Sequence, residues 1–219
     1  MSDFAGWPQA ALTFFEGLEA DNSKSYWTSH KDVYDVAVRA PMETLVAELG
    51  GEFGPATLFR PHRDVRFSAD KSPYKTQVAA VLGDTGSGAF YVQLSADGLM
   101  TGAGLHVMTP GQVARLRGAI DDDRSGTALG AIVSSLVGSG FEVGGDALKT
   151  APRGYPRDHP RIELLRYRSC FVLRPHPPAT WLHAARAADV VRADWRSARP
   201  LVDWLHAHVG PGEAVSRGR

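Results

Sequence analysis

One cysteine in 219 residues, five lysines, no net charge and no run of 18 apolar residues are what this chain lacks most plainly. A lone Cys170 cannot close an internal disulfide, which fits a reducing compartment. Its neighbours Tyr167, Phe171, Val172 and Leu173 read as a buried strand carrying an inert thiol. Without a long apolar run no membrane span is expected. The start, MSDFAGWPQ, lacks the charged region and apolar stretch of a secretory signal, so a cytoplasmic location is expected. With 24 basic against 24 acidic residues the chain does not advertise itself as a bulk nucleic-acid binder, although a local basic cleft survives that argument. Nothing matches a zinc or calcium spacing, a G-x-S-x-G elbow or a dinucleotide fingerprint, so neither metal nor cofactor is expected. His206 and His208, two apart, would point to different sides of a helix.

Hydrophobic content of 43% and 22% charge describe an ordinary globular protein long enough to bury a core. The first quarter has helical periodicity. Leu12, Phe15 and Leu18 form one helix after Trp7-Pro8, and Ser23 caps a second through Trp27, Tyr34 and Val38. Pro41 ends that helix and opens a third, which stops at Gly50-Gly51. From about residue 57 the period becomes two. Phe59 to Phe67 alternate as a strand, followed by strands at 77–82, 90–95 and 99–107 separated by Gly-rich turns. Gly102 and Gly104 within the last strand suggest a bulge or a close backbone approach. Thr109-Pro110-Gly111-Gln112 has the form of a capping box. A helix over 126–138, an extended piece in GFEVGGDALK, a strand at 168–174 and two C-terminal helices complete the pattern. The acidic run Asp121–Asp123 reads as a solvated helix end. The expected fold is α+β, a single domain over 1–209 with an antiparallel β-meander packed by N-terminal, middle and C-terminal helices. Residues 210–219 are expected to be a disordered tail.

Two blocks carry the chemistry. RPHRDVRFSADKSPYK (60–75) holds five fixed cations in sixteen residues. On an extended strand Arg60, His62, Asp64 and Arg66 share one face. Arginine forks match carboxylate or phosphate oxygens in pairs, and Asp64 between two arginines would stay ionised and fix their heads. Ser68 and Asp70 suit a turn that delivers Lys71 and Lys75, and Tyr74 could stack on a planar ligand. The second block runs from Lys149 to Pro160. Its prolines stiffen a loop bearing Lys149, Arg153, Tyr155 and Arg157, with Asp158 as a helix cap and His159 as either a capping-region residue or a proton-transfer group.

The strings RDVRFSADKSPYKT and LKTAPRGYPRDHP, with GAG before a capped helix, resemble the domain-of-unknown-function 2461 family of conserved hypothetical proteins in bacteria and fungi. The resemblance covers nearly the whole chain, from FFEGLEADNSKSYWTSHKDVYD to the last strand. Ser25-Tyr26-Trp27 departs slightly from the family's shorter polar-Trp-Phe pattern. The resemblance implies that the two blocks are the sites to inspect and brings no activity with it.

Together these readings predict a protein that binds a small anionic ligand, phosphorylated or carboxylated, in a basic cleft between the blocks. Arg60, Arg63, Arg66, Lys71, Lys75, Lys149 and Arg153 would supply the field, with Tyr74 and Tyr155 as walls. Group transfer or hydrolysis would suit such a site, with His159 or Asp64 handling the proton. Two alternatives stay open: a nucleic-acid or protein-binding module on the same basic surface, and a buried ion-pair network that only fixes the sheet. Oligomeric state is not legible.

Overall fold

A computed structural model describes residues 3–64, 66 and 70–212 of the chain. In order the elements are α1 (Gln9–Ala20), α2 (Lys24–Ser29), the single turn α3 (Lys31–Val33), a π-helical segment (Tyr34–Arg39), α4 (Ala40–Phe53), β1 (Ala56–Leu58), β2 (Gln77–Asp84), β3 (Gly88–Ser95) and β4 (Gly98–Leu105). There follow α5 (Pro110–Asp121), α6 (Asp123–Gly138), β5 (Glu142–Gly144), α7 (Ile162–Leu165), β6 (Cys170–His176), a 3-10 turn (Thr180–His183) and α8 (Arg186–His208). The fold is α+β, with an antiparallel sheet in the order β1-β2-β3-β4-β6-β5. The expected meander is the consecutive run β1 to β4. Among the described residues no helix is long and apolar enough to cross a membrane.

The chain divides into two compact units, each assembled from three segments. Unit 1 comprises 1–83, 91–101 and 175–194, and unit 2 comprises 84–90, 102–174 and 195–219. Strands β3, β4 and β6 and helix α8 each pass from one unit to the other along the chain.

In unit 1, Leu12, Phe15, Leu18, Val38, Met42, Leu45 and Leu49 are buried, as their helical spacing requires. Ser23 caps α2, its hydroxyl accepting from the Tyr26 amide at 3.1 Å. The helix does not run unbroken to Val38 as expected. The side chains of Ser29 and His30 bond back to the Ser25 and Tyr26 carbonyls, and α2 stops at His30. Ahead of Pro41 the backbone widens into the π segment, where the Ala40 amide donates to Asp35 O, five residues back. That wider turn makes room for the proline ring, which would otherwise meet the carbonyl four residues earlier. Pro41 therefore sits in the first turn of α4 without a break before it. The helix also continues through Gly50-Gly51 and stops at Gly54, whose φ of 98° suits only glycine.

Among the described residues of 59–67 the expected strand does not form. β1 ends at Leu58, and beyond it one isolated bridge, His62 with Tyr74, continues the antiparallel pairing. Pro61 and Pro73 explain this. Neither can donate, and each serves only as acceptor, for the Lys75 amide at 2.8 Å and the Arg63 amide at 2.9 Å. Val65, Phe67, Ser68 and Ala69, named in the expected alternation and turn, lie outside the described residues, as do 213–219 of the expected tail.

In unit 2 the capping box is present: Thr109 Oγ1 accepts from the Gln112 amide, and Gln112 Oε1 accepts from the Thr109 amide. Buried Gln112 also donates to Gly86 O and Gly210 O. α6 starts three residues earlier than expected because Asp122 caps it, accepting from the Arg124 and Ser125 amides. Gly104, with φ 129°, lies so near β6 that a Cβ there would fall 2.3 Å from Cys170 O. This is the close approach its position in the strand suggested.

Candidate functional site

Within unit 1 the segment after β1 and the segment before β2 lie side by side, held by the Lys75–Pro61 and Arg63–Pro73 backbone bonds. Its base is fixed by a helix connection. Asn22, between α1 and α2, donates through Nδ2 to Tyr74 O at 3.0 Å and accepts from the Tyr74 amide at 3.1 Å. One side-chain amide thus does for Tyr74 what a neighbouring strand residue would do. The Tyr74 ring, expected as a ligand wall, is only 6% exposed and stacks on Trp27 at 4.3 Å and 6°. Exposed His62 lies against both rings, 5.1 Å from Tyr74 and 5.9 Å from Trp27. The aromatic residues anchor the basic hairpin, and Tyr74 belongs to that anchor.

The cations sit outward from this base. Arg66 grips Asp64 with both ends of its fork, Nε to Oδ1 at 2.9 Å and an Nη to Oδ2 at 2.6 Å, and Arg63 pairs with Asp70. The Arg66 fork, its largest influence, holds the Asp64 carboxyl below its ordinary range. Asp70 is also lowered, first by the Ser72 hydroxyl and then by the Ser72 amide, which donates to Oδ1 at 2.9 Å in the turn. Lys75 Nζ lies 5.3 Å from the centre of the Phe59 ring. Burial, followed by the like charges of Arg60 and Arg63, lowers its ammonium below the ordinary lysine value. Lys71 is exposed. Arg60 has no hydrogen-bond partner among the described residues.

The second block belongs to unit 2. Exposed Lys149 follows the Leu148 amide bond to Arg166 O, and exposed Arg153 lies in a turn closed by the Tyr155 amide on Pro152 O. The Tyr155 ring packs edge-on to His159 at 6.3 Å. His159 is 9% exposed in its side chain and both ring nitrogens are engaged. Nδ1 accepts from the Arg161 amide at 3.0 Å, so Nε2 carries the proton and faces Asp121 Oδ1 at 3.1 Å. A ring tied at both nitrogens holds a turn in place, with no lone pair left for a substrate. Asp158 is not a cap: α7 has Arg161 at its N-cap position and no side-chain cap bond.

Arg161, which composition did not single out, supports this block. It donates to Ile120 O at 2.6 Å, Asp121 O at 2.8 Å and Asp123 Oδ1 at 2.9 Å, satisfying the carbonyl end of α5. The acidic run is therefore employed residue by residue, with Asp121 on His159, Asp122 capping α6 and Asp123 on Arg161. No local signal marks Arg161, whose partners lie about forty residues away.

Two cavities of unit 2 are lined by residues outside the second block. A recess of about 670 Å³ is lined by Arg115, Asp122, Arg124, Ser125, His208 and small residues of α5 and α6. A void of about 20 Å³ lies among Leu116, Ile120, Leu129 and Cys170. Burial pushes the Cys170 thiol up to about 12, which leaves it protonated and inert. Among the described residues no group of acidic, histidine or cysteine side chains is placed to hold a metal.

Helices on an antiparallel meander, with a clamped basic hairpin leading into it, define an α+β protein whose most charged feature stands on one sheet edge. Residues 10–204 match the family described as conserved hypothetical protein (DUF2461), and the chain belongs to that family. No curated protein and no solved structure matches it.

Proposed function

We propose that the protein binds a small phosphorylated or carboxylated ligand at the basic hairpin of unit 1, with Arg60, Arg63 and Lys75 as its principal contacts and Arg66 and Lys71 at its edge. The observation that supports this is like-charge crowding on an anchored backbone. The paired segments 61–63 and 73–75 place Lys75 where burial first, and then the charges of Arg60 and Arg63, weaken its hold on a proton. An anion among the three relieves that repulsion, whereas nothing in the fold gains from it. The surrounding ion pairs are exposed, Arg66 being 77% accessible, so water screens them and a ligand oxygen can displace the partner. Such exposure also weighs against a buried structural network. Asp64, kept ionised by Arg66, orients the arginine fork and is a poor proton donor at neutral pH.

The test is titration of inorganic phosphate and of citrate into the protein and into Arg63→Ala and Lys75→Ala, followed by calorimetry. Loss of one charged contact should weaken binding about tenfold or more while Tm stays nearly constant. A Tm loss matching the affinity loss, or unchanged affinity in both variants, overturns the reading.

A further inference from the structure

Elsewhere in unit 1 a buried carboxylate holds a histidine that no sequence motif marks. Asp194, in the first half of α8, is 3% exposed in its side chain. Its Oδ2 accepts from Thr101 Oγ1 of β4 at 2.6 Å and faces His176 Nε2 of β6 at 2.7 Å. Fully buried Thr101 has a carboxylate as its partner, so its hydroxyl must donate. The same reasoning puts a proton on His176 Nε2, and with the ring's single proton placed there Nδ1 is a bare acceptor. The ring is locked in that pose. Trp181 meets it edge-on at 5.6 Å and 89°, and the backbone behind it passes so close to Gly98 that a Cβ there would lie 2.3 Å from His176 O.

Two further facts separate this arrangement from an internal tie. Nδ1 has no hydrogen-bond partner among the described residues. It is also not sealed off: among the described residues the buried unpaired side-chain atoms are Trp7 Nε1 and Arg166 Nε, and the His176 side chain keeps 14% of its surface exposed. His159 has the opposite arrangement, with both nitrogens bound inside the protein. A carboxylate removed from water, bonded to a threonine and to one nitrogen of a histidine whose other nitrogen reaches solvent, is a costly way to join a strand to a helix. It is an effective way to prepare a base.

We propose that His176 is a proton-acceptor site for a small hydroxyl-bearing ligand, water or an alcohol, with Asp194 as its positioning residue. In the step the site supports, the ligand O–H bond breaks, its proton forms an N–H bond at Nδ1, and the electron pair stays on the ligand oxygen as a nucleophile. The imidazolium so formed keeps Nε2–H on Asp194. The site is separate from the basic hairpin and survives if that reading fails.

Diethyl pyrocarbonate tests it on the unaltered protein, because the Nδ1 lone pair attacks a carbonyl carbon and expels ethyl carbonate. Peptide mass spectrometry should find His176 acylated in the folded protein at a rate at least equal to that of exposed His62, and His159 protected. In Asp194→Asn the amide can present its N–H₂ to Nε2 and move the ring proton to Nδ1, so the His176 rate should fall at least tenfold with His62 unchanged. A His176 that stays unmodified while His62 reacts overturns the proposal, and so does an Asp194→Asn variant that folds and reacts as fast. If that variant does not fold, the rate ratio in the unaltered protein decides.

Discussion

In the 60–75 segment the charged side chains pair with partners two to seven residues away on an open hairpin. Around 149–161, by contrast, His159 and Arg161 reach some forty residues back to the end of α5 and the start of α6. The two segments look alike in composition, each basic and punctuated by proline. What separates them is sequence distance. A local ion pair such as Arg66 with Asp64 can open without unmaking the fold. The bonds of Arg161 to Ile120 O and Asp121 O close a helix end, and losing them takes the side-chain donor from both carbonyls. The first segment has charge to give to a ligand, and the second has used its contacts on structure.

The largest expected effect breaks that contrast on the structural side. A Cβ at Gly126 would lie 2.0 Å from Ile120 O and 2.6 Å from Arg161 Nε, so Gly126→Ala should cost about 3 kcal/mol in urea unfolding. Next, Asn22→Ala removes both bonds to the Tyr74 backbone and should cost about 2 kcal/mol, showing that the hairpin is anchored at its base. A direct comparison follows: His159→Ala should lose about 1 kcal/mol through the Arg161 amide, whereas Arg66→Ala should leave the unfolding midpoint unchanged.

The smallest effect is in pH dependence. The Ser125 amide, then its hydroxyl, hold the Asp122 carboxyl below its ordinary value. A depressed carboxyl stabilises the fold above its unfolded value of about 4 and loses that contribution as pH falls through the lower folded value. Asp122→Asn keeps a cap without the titration. Any stability gap between the two proteins should therefore close as pH drops from 5 to 2, and a constant gap would refute the assignment.

What could be read in the chain is what neighbours decide. Ser23 and Thr109-Gln112 announced their helix starts because each cap spans only four residues, and the Gly83–Gly88 and Ala96–Gly98 turns announced β2 to β4. The family was legible from RDVRFSADKSPYKT. Misreadings arose where the deciding partner is distant or absent from the pattern. Alternation over 59–67 looked like a strand because period alone ignores the donors missing at Pro61 and Pro73. The π segment follows from a clash with Pro41 that hydrophobic spacing does not register. Asp194, His176 and Thr101 are brought together from three elements, up to 93 residues apart, so no spacing rule could have joined them.

The Asn22 clamp also bears on the order of events in folding. Its two bonds span 52 residues, so they can form only after the α1–α2 connection has met the segment before β2. The exposed end of the hairpin, held by few backbone bonds, can open locally at a cost below global unfolding. Amide exchange at Arg63 and Lys75 should therefore be faster than at Val78 or Ala80, and a bound anion should slow it.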